Sequence, residues 1–112
     1  MKKLFASLFL VAFSANSYAQ IDGNTLHQLC NSTSESAKIS CTIYIRGVLD
    51  ASIAMEDLHK IPKKQKLMCM PGEVSRYQMI DVAKNYLRDH PEERHNSGLV
   101  LIINSMQKFE CE

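Results

Sequence analysis

Hydrophobic residues recur at helical spacing along most of the chain, and the longest such run is CTIYIRGVLDASIAMEDL, from Cys41 to Leu58. Cys41, Tyr44, Ile45, Val48, Ala51, Met55 and Leu58 fall on one stripe of a helix. Ile43, Leu49 and Ile53 widen the apolar surface beyond that stripe. A helix that is apolar on more than one side packs centrally, with neighbours on both flanks. Arg46 and Asp50, four residues apart, can pair weakly on the remaining polar strip. Gly47 interrupts the run at a cost of about 0.5–1 kcal/mol relative to alanine. That cost is tolerable where another backbone comes close, within the chain or from a second copy. Thr42, Ile43, Tyr44 and Ile45 also suit a strand, but the pattern continues through Leu58 with no turn signal and is too long for one.

The remaining elements follow from shorter patterns. Asp22-Gly23-Asn24 is a turn, after which Asn24 or Thr25 can cap a short helix carrying Leu26, Leu29 and Cys30. Asn31 to Ser36 is a polar loop; its Asn31-Ser32-Thr33 matches a glycosylation sequon but reads as loop composition. Lys60 to Lys66 is a basic connection broken by Pro62. It reads either as a solvated linker or as a docking loop for an acidic partner, and composition favours the linker. Cys69-Met70-Pro71-Gly72-Glu73 turns the chain into a third helix over roughly Val74–His90. Its apolar positions are Ile80, Ala83 and Leu87 beside Met79, Val82 and Tyr86, and Pro91 stops it. Asn96 or Ser97 suits the cap of a last helix with Leu99, Ile102, Ile103 and Met106, although Leu99–Ile103 alone could be a buried strand. The pattern predicts an all-α bundle of four to five helices, with no repeats and no second domain.

The first residues change the picture of where this bundle resides. Lys2 and Lys3 precede ten apolar-rich residues, Leu4 to Phe13, and Ser17-Tyr18-Ala19 offers a small-residue cleavage site before Gln20. This reads as a secretory signal peptide of residues 1–19, leaving a single exported domain of residues 20–112. No other apolar run is long enough to anchor it in a membrane. Without the two signal lysines, 11 basic residues face 12 acidic ones, a net charge of −1. That balance offers no footprint for nucleic acid or for anionic lipid.

A chain of 93 residues buries only about 60–65% of its unfolded surface, so covalent support is expected. Cys30, Cys41, Cys69 and Cys111 supply an even number in an oxidising compartment. Four cysteines permit three connectivities. Antiparallel packing of successive helices brings Cys30 near Cys41, and Cys69 near Cys111. Each such closure is worth roughly 3–4 kcal/mol.

Candidate chemistry is sparse. The sequence has no C-x-x-C, no G-x-S-x-G elbow, no P-loop and no H-E-x-x-H. Cysteines consumed in disulfides leave no thiol nucleophile. Met68-Cys69-Met70 has soft donors suited to Cu(I), yet a disulfide at Cys69 removes the thiolate and methionine commonly fills core gaps. His90 and His95 bracket Glu92 and Glu93 without a recognised ligand spacing. No catalytic residue, cofactor or metal is therefore expected. A small acid-stress chaperone of the periplasm remains an alternative, since four histidines gain charge as pH falls.

Four features recur in order: Tyr44-Ile45-x-Gly47-x-x-Asp50 after a cysteine, Cys69-x-Pro71, Gln78 with Tyr86-Leu87-x-x-His90-Pro91-Glu92, and a closing Phe109-x-Cys111. Together they resemble the Tai family of immunity proteins, antidotes to type VI secretion amidase toxins, over about Leu26 to Cys111. The departures are Glu110, where proline is expected, and Ser105-Met106, where the family often has Ala-Leu. The resemblance implies a small, helical, disulfide-bonded periplasmic protein, commonly a homodimer, that is not an enzyme. It also implies a partner, a cognate peptidoglycan amidase effector, whose active-site cleft is blocked by a protruding loop and helix. No contact residue transfers from the family. The polar, proline-bounded segments of this chain are the candidates for partner binding: Lys60, Lys63, Lys64 and Lys66 in one, and Glu92, Glu93, Arg94 and His95 in the other.

Overall fold

The computed structural model describes residues 20–111; the expected signal peptide lies outside them. Four α-helices form the scaffold: α1 (Gly23–Cys30), α2 (Glu35–Leu58), α3 (Arg76–Asp89) and α4 (Gly98–Ser105). Three single turns of 3-10 helix cover Lys63–Gln65, Pro91–Glu93 and Met106–Lys108. Among the described residues the only extended pairing is an isolated antiparallel bridge between Asp22 and Ser97. The Leu99–Ile103 run is thus helical, and the bundle is all-α as its periodicity predicts.

The central helix begins earlier than the apolar pattern. Glu35 opens it after Ser34, so the polar loop shrinks to three or four residues. The mostly polar residues 35–40 continue the helix, and the fully buried Cys41 ties its first turns to α1 through the disulfide to Cys30. α2 packs against α1, α3 and α4 and is the shared wall of the core. Its inner row is Cys41, Ile45 and Leu49, all fully buried, ending in Glu56 at 5% exposure. Ala51, Met55 and Leu58, expected on the buried stripe, are instead exposed. Hydropathy alone places Met55 inward; in the structure Glu56 takes the inward position, where its carboxylate accepts from backbone N–H groups.

The other helices close on this wall. The cap of α1 is Asp22, whose side chain accepts the Thr25 N–H at 2.7 Å, rather than Asn24 or Thr25. That bond holds the Asp22 carboxyl below the usual carboxylate range. α3 starts in a capping box: Ser75 Oγ accepts from Gln78 N, and Gln78 Oε1 accepts from Ser75 N. Gln78, one of the recurring motif residues, is thereby a helix-start device. Met79, Ile80, Ala83 and Leu87 face the core. In α4, Leu101 and Ile102 are buried, and Met106 joins them, while Leu99 stands 45% exposed. Ile102, Ile103 and Met106 thus pack inward as expected, and Leu101 takes the place expected for Leu99.

Two disulfides close the frame. Cys30–Cys41 ties α1 to α2 with a Cα–Cα distance of 5.1 Å, and Cys69–Cys111 ties the α2–α3 connection to the C-terminal segment at 4.9 Å. The described residues contain no free cysteine.

The start of α1 is wedged against the turn before α4. Gly23 N donates to Asn96 O, Asn24 N to Arg94 O, and Gly98 N to Ile21 O. A Cβ at Gly23 would lie 2.8 Å from the Arg94 backbone and would also overlap Leu101. Gly23→Ala should therefore cost about 3 kcal/mol by overpacking. Gly72→Ala, where nothing lies within 4 Å, should stay within about 0.5 kcal/mol of wild type. Thermal unfolding of the two variants checks the contrast.

Candidate functional site

The connection from His59 to Ser75 is long for a small helical domain, and such connections are usually either disordered or functional. Here it is ordered by several independent contacts. The carboxylate Oε1 of Glu56 accepts the Leu67 N–H at 2.6 Å and is 3.4 Å from the Met68 nitrogen. Lys66 Nζ lies 3.1 Å from Asp57 Oδ1. The Gln107 side chain donates to Leu67 O, and the Cys69–Cys111 disulfide holds the far end. Glu56, Asp57 and Gln107 are residues that sequence reasoning missed. Nothing but the polar position of Glu56 inside an apolar run marked it.

The connection leaves α2 by a sharp turn. Lys60 N donates to Asp57 O and Ile61 N to Glu56 O, both within 3.1 Å. This is the double bond pattern of a Schellman motif, with Lys60 where glycine usually stands. Its φ of 49° is the one left-handed non-glycine residue described, a conformation costing on the order of 1 kcal/mol. The turn throws Lys60, Lys63 and Lys64 outward, all exposed, whereas Lys66 is half-buried against Asp57. The structure thus separates the four lysines: three are free of the described ion pairs and one fastens the loop.

Two concavities flank this loop. One is a polar groove of about 760 Å³ between Asp57, Lys66, Glu73, Arg76 and Glu110, floored by the Cys69–Cys111 disulfide. Arg76 in its wall pairs with Asp50 at 3.0 Å, and Asp50 also lies 3.6 Å from Arg46. The other is apolar, of about 330 Å³, and shares Glu56 with the first in its lining.

The second candidate segment, residues 92–95, is bound into the fold. Arg94 Nε donates to Leu87 O at 2.6 Å and its NH2 group to Arg88 O at 3.0 Å, closing the C-terminus of α3. Tyr86 donates its hydroxyl to Glu93 at 2.6 Å. That bond, with burial and the charges of Glu93 and Glu92, pushes the Tyr86 phenol up to about 12. The His90 ring stacks on Tyr86 with centroids 3.9 Å apart. Ligand atoms of His90, Glu92 and Glu93 come within 4.8 Å of one another, a convergence that their spacing did not foretell. Glu92 and His95 are exposed. Residues 92–95 precede α4, and the loop meets that helix through Leu99 in its first turn and through Gln107 just after its end.

The chain is a cross-linked helical scaffold whose α2–α3 connection is fixed to the core at Met68 and carries exposed lysines. The family model for Rap1a immunity proteins matches residues 22–111, and the chain belongs to that family. No curated protein and no solved structure matches it. Immunity proteins of this kind work by binding a cognate effector protein, and the two disulfides suit an oxidising, extracytoplasmic compartment.

Replacing Glu56 with alanine would orphan the Leu67 and Met68 amides. The expected cost is about 2 kcal/mol, which lowers the melting temperature by about 10 °C in a domain of this size. Limited proteolysis should then cut within residues 59–68 while α1–α2 stays intact; a loop equally resistant in Glu56→Ala would show that the carboxylate does not hold it.

Proposed function

We propose that the chain is a periplasmic antidote to a type VI secretion effector, and that its target is a peptidoglycan amidase whose active-site cleft it occludes. On this reading residues 1–19 direct export and residues 20–112 are the mature protein. Membership of the Rap1a immunity family supports the antidote role over an acid-stress chaperone. The amidase target rests on the likeness to the Tai family given above. The observation that carries the occlusion mechanism is the pinning of the His59–Ser75 connection by Glu56, Lys66, Gln107 and a disulfide. A loop already fixed before docking loses little conformational entropy when it enters a cleft. Exposed Lys60, Lys63 and Lys64 would speed encounter with an acidic target and discriminate among toxins. Purified mature protein should bind the amidase encoded beside its gene and abolish peptidoglycan cleavage; neither binding nor inhibition would end this reading.

The reading extends to a homodimer. Ile39 and Ile43 are 55% and 65% exposed on the outer face of α2, and a Cβ at Gly47 would meet nothing within 4 Å. Among the described residues no backbone uses the close approach that glycine allows. Ile43 lies four residues before Gly47 and Ala51 four after it. A two-fold crossing at Gly47 would set each Ile43 against Ala51 of the second copy, large against small. Light scattering should give twice the monomer mass for wild type and the monomer mass for Gly47→Arg, with unchanged circular dichroism. A monomeric wild type would refute the pairing.

A further inference from the structure

The two disulfides differ in what surrounds them. Cys30 lies in the last turn of α1 and Cys41 in α2, so both ends sit in hydrogen-bonded helix, and Cys41 is fully buried. Cys69 and Cys111 stand in irregular chain. Both are half-buried, and both line the open polar groove of about 760 Å³. A dissolved thiol that enters the groove meets this bond without any helix having to open. Disulfides that are exposed in this way are the labile and regulatory kind.

The chain on either side of the Cys69–Cys111 bond is lightly held. From Cys69 to Val74 one backbone–backbone hydrogen bond is present, Val74 N to Pro71 O, and it is internal to the segment. Phe109 N donates to Met106 O, but Glu110 and Cys111 take part in no such bond among the described residues. Met70, Val74 and Phe109 are only partly buried against the core. Segments with so few contacts open locally at a much lower free energy than the whole domain. The first half of the connection has its own clasp: Glu56 accepts the Leu67 N–H, Gln107 donates to Leu67 O, and Met68 is buried.

We infer that Cys69–Cys111 is a reducible latch. A dithiol reductant opens it while Cys30–Cys41 stays closed, and opening releases residues 69–74 and 110–111 from an intact frame of four helices. One thiolate of the reductant attacks the Sγ of Cys69 or Cys111 and expels the other cysteine as a thiolate. The second thiol of the reductant then attacks the mixed disulfide. The reductant leaves as a disulfide, two electrons lighter, and its two protons end on Cys69 and Cys111.

The latch adds regulation to the antidote reading and rests on it for its effect on binding, since that reading makes the fixed His59–Ser75 connection the element offered to the effector. With the latch open, residues 69–74 must be ordered again on docking, which weakens the complex. The order in which the two bonds open is independent of that reading.

The test treats the full mature protein with graded dithiothreitol in the absence of denaturant, quenches with a thiol-alkylating reagent and locates the label by peptide mass spectrometry. Cys69 and Cys111 should be labelled at least about 10-fold faster than Cys30 and Cys41, with helical circular dichroism unchanged. Amide hydrogen exchange should rise at residues 69–74 and keep its original rates in α1 and α2. The double variant Cys69→Ser, Cys111→Ser should show the same exchange pattern with no reductant, and should bind the amidase encoded beside its gene at least about 10-fold more weakly. Equal labelling of all four cysteines, or earlier labelling of Cys30 and Cys41, would overturn the latch. Loss of helix in step with Cys69–Cys111 reduction, or unchanged exchange at residues 69–74, would do the same. Wild-type affinity in the double variant would overturn its control of binding. Failure of the wild type to bind would remove the antidote reading alone, because labelling and exchange are read on the isolated protein.

Discussion

The carboxylate of Glu56 ties the central helix to the connection that leaves it. It sits at 5% exposure on the inner face of α2 and takes up the amides of Leu67 and Met68. An acid buried this deeply is tolerated only when donors surround it. In return it fixes a segment that has no apolar periodicity of its own. The Glu56 backbone carbonyl serves the same end by accepting from Ile61. The path of the loop at Ile61, Leu67 and Met68 is inherited from this one side chain and the peptide behind it. The left-handed Lys60 stands at the same corner. Strain of that kind persists where the surroundings over-determine the backbone, and here the bonds to Asp57 and Glu56 carbonyls do so.

The two disulfides act at a different level. They close chain segments 11 and 42 residues apart, worth roughly 3 and 4 kcal/mol by loop closure. Such energies rival the net stability of a domain this small. They free α2 from having to bury every apolar residue it carries. Its inner row packs against α1, α3 and α4, and Ile39, Ile43 and Leu58 can stay outside. A bundle held by packing alone could ill spare that area. The covalent frame and the exposed apolar surface are thus two sides of one arrangement: the first makes the second affordable.

Much of this was legible in the residues. Helix number and order follow from period and punctuation, because Pro62, Pro91 and the polar turns break the chain where apolar stripes end. The proximity of Cys30 to Cys41 and of Cys69 to Cys111 follows from antiparallel packing of those helices. What hydropathy could not supply was which residue faces inward at two places, one in α2 and one in α4. Met55 against Glu56, and Leu99 against Leu101, are decided by where hydrogen-bond donors and neighbouring helices lie, and no single window contains those partners. The same holds for residues 92–95. Their polarity looks like a solvated turn, yet Arg94 caps α3 from six and seven residues away and Glu93 holds Tyr86. Family likeness through Tyr86, His90 and Pro91 therefore reports on how α3 ends.

That division explains why the motif residues and the candidate contact surface scarcely overlap. Gln78 starts a helix, Tyr86 and His90 finish it, and the cysteines close the frame. Each solves a problem inside the chain, so each is held to its residue type by geometry. Lys63 and Lys64 solve none: they are exposed on a loop whose path is set by its backbone amides and by Glu56. Changing them alters charge without moving the chain. A scaffold that fixes a loop through its backbone leaves the loop's side chains free to match whatever partner they meet. Specificity can then change by substitution in the loop while the clasp beneath it stays the same.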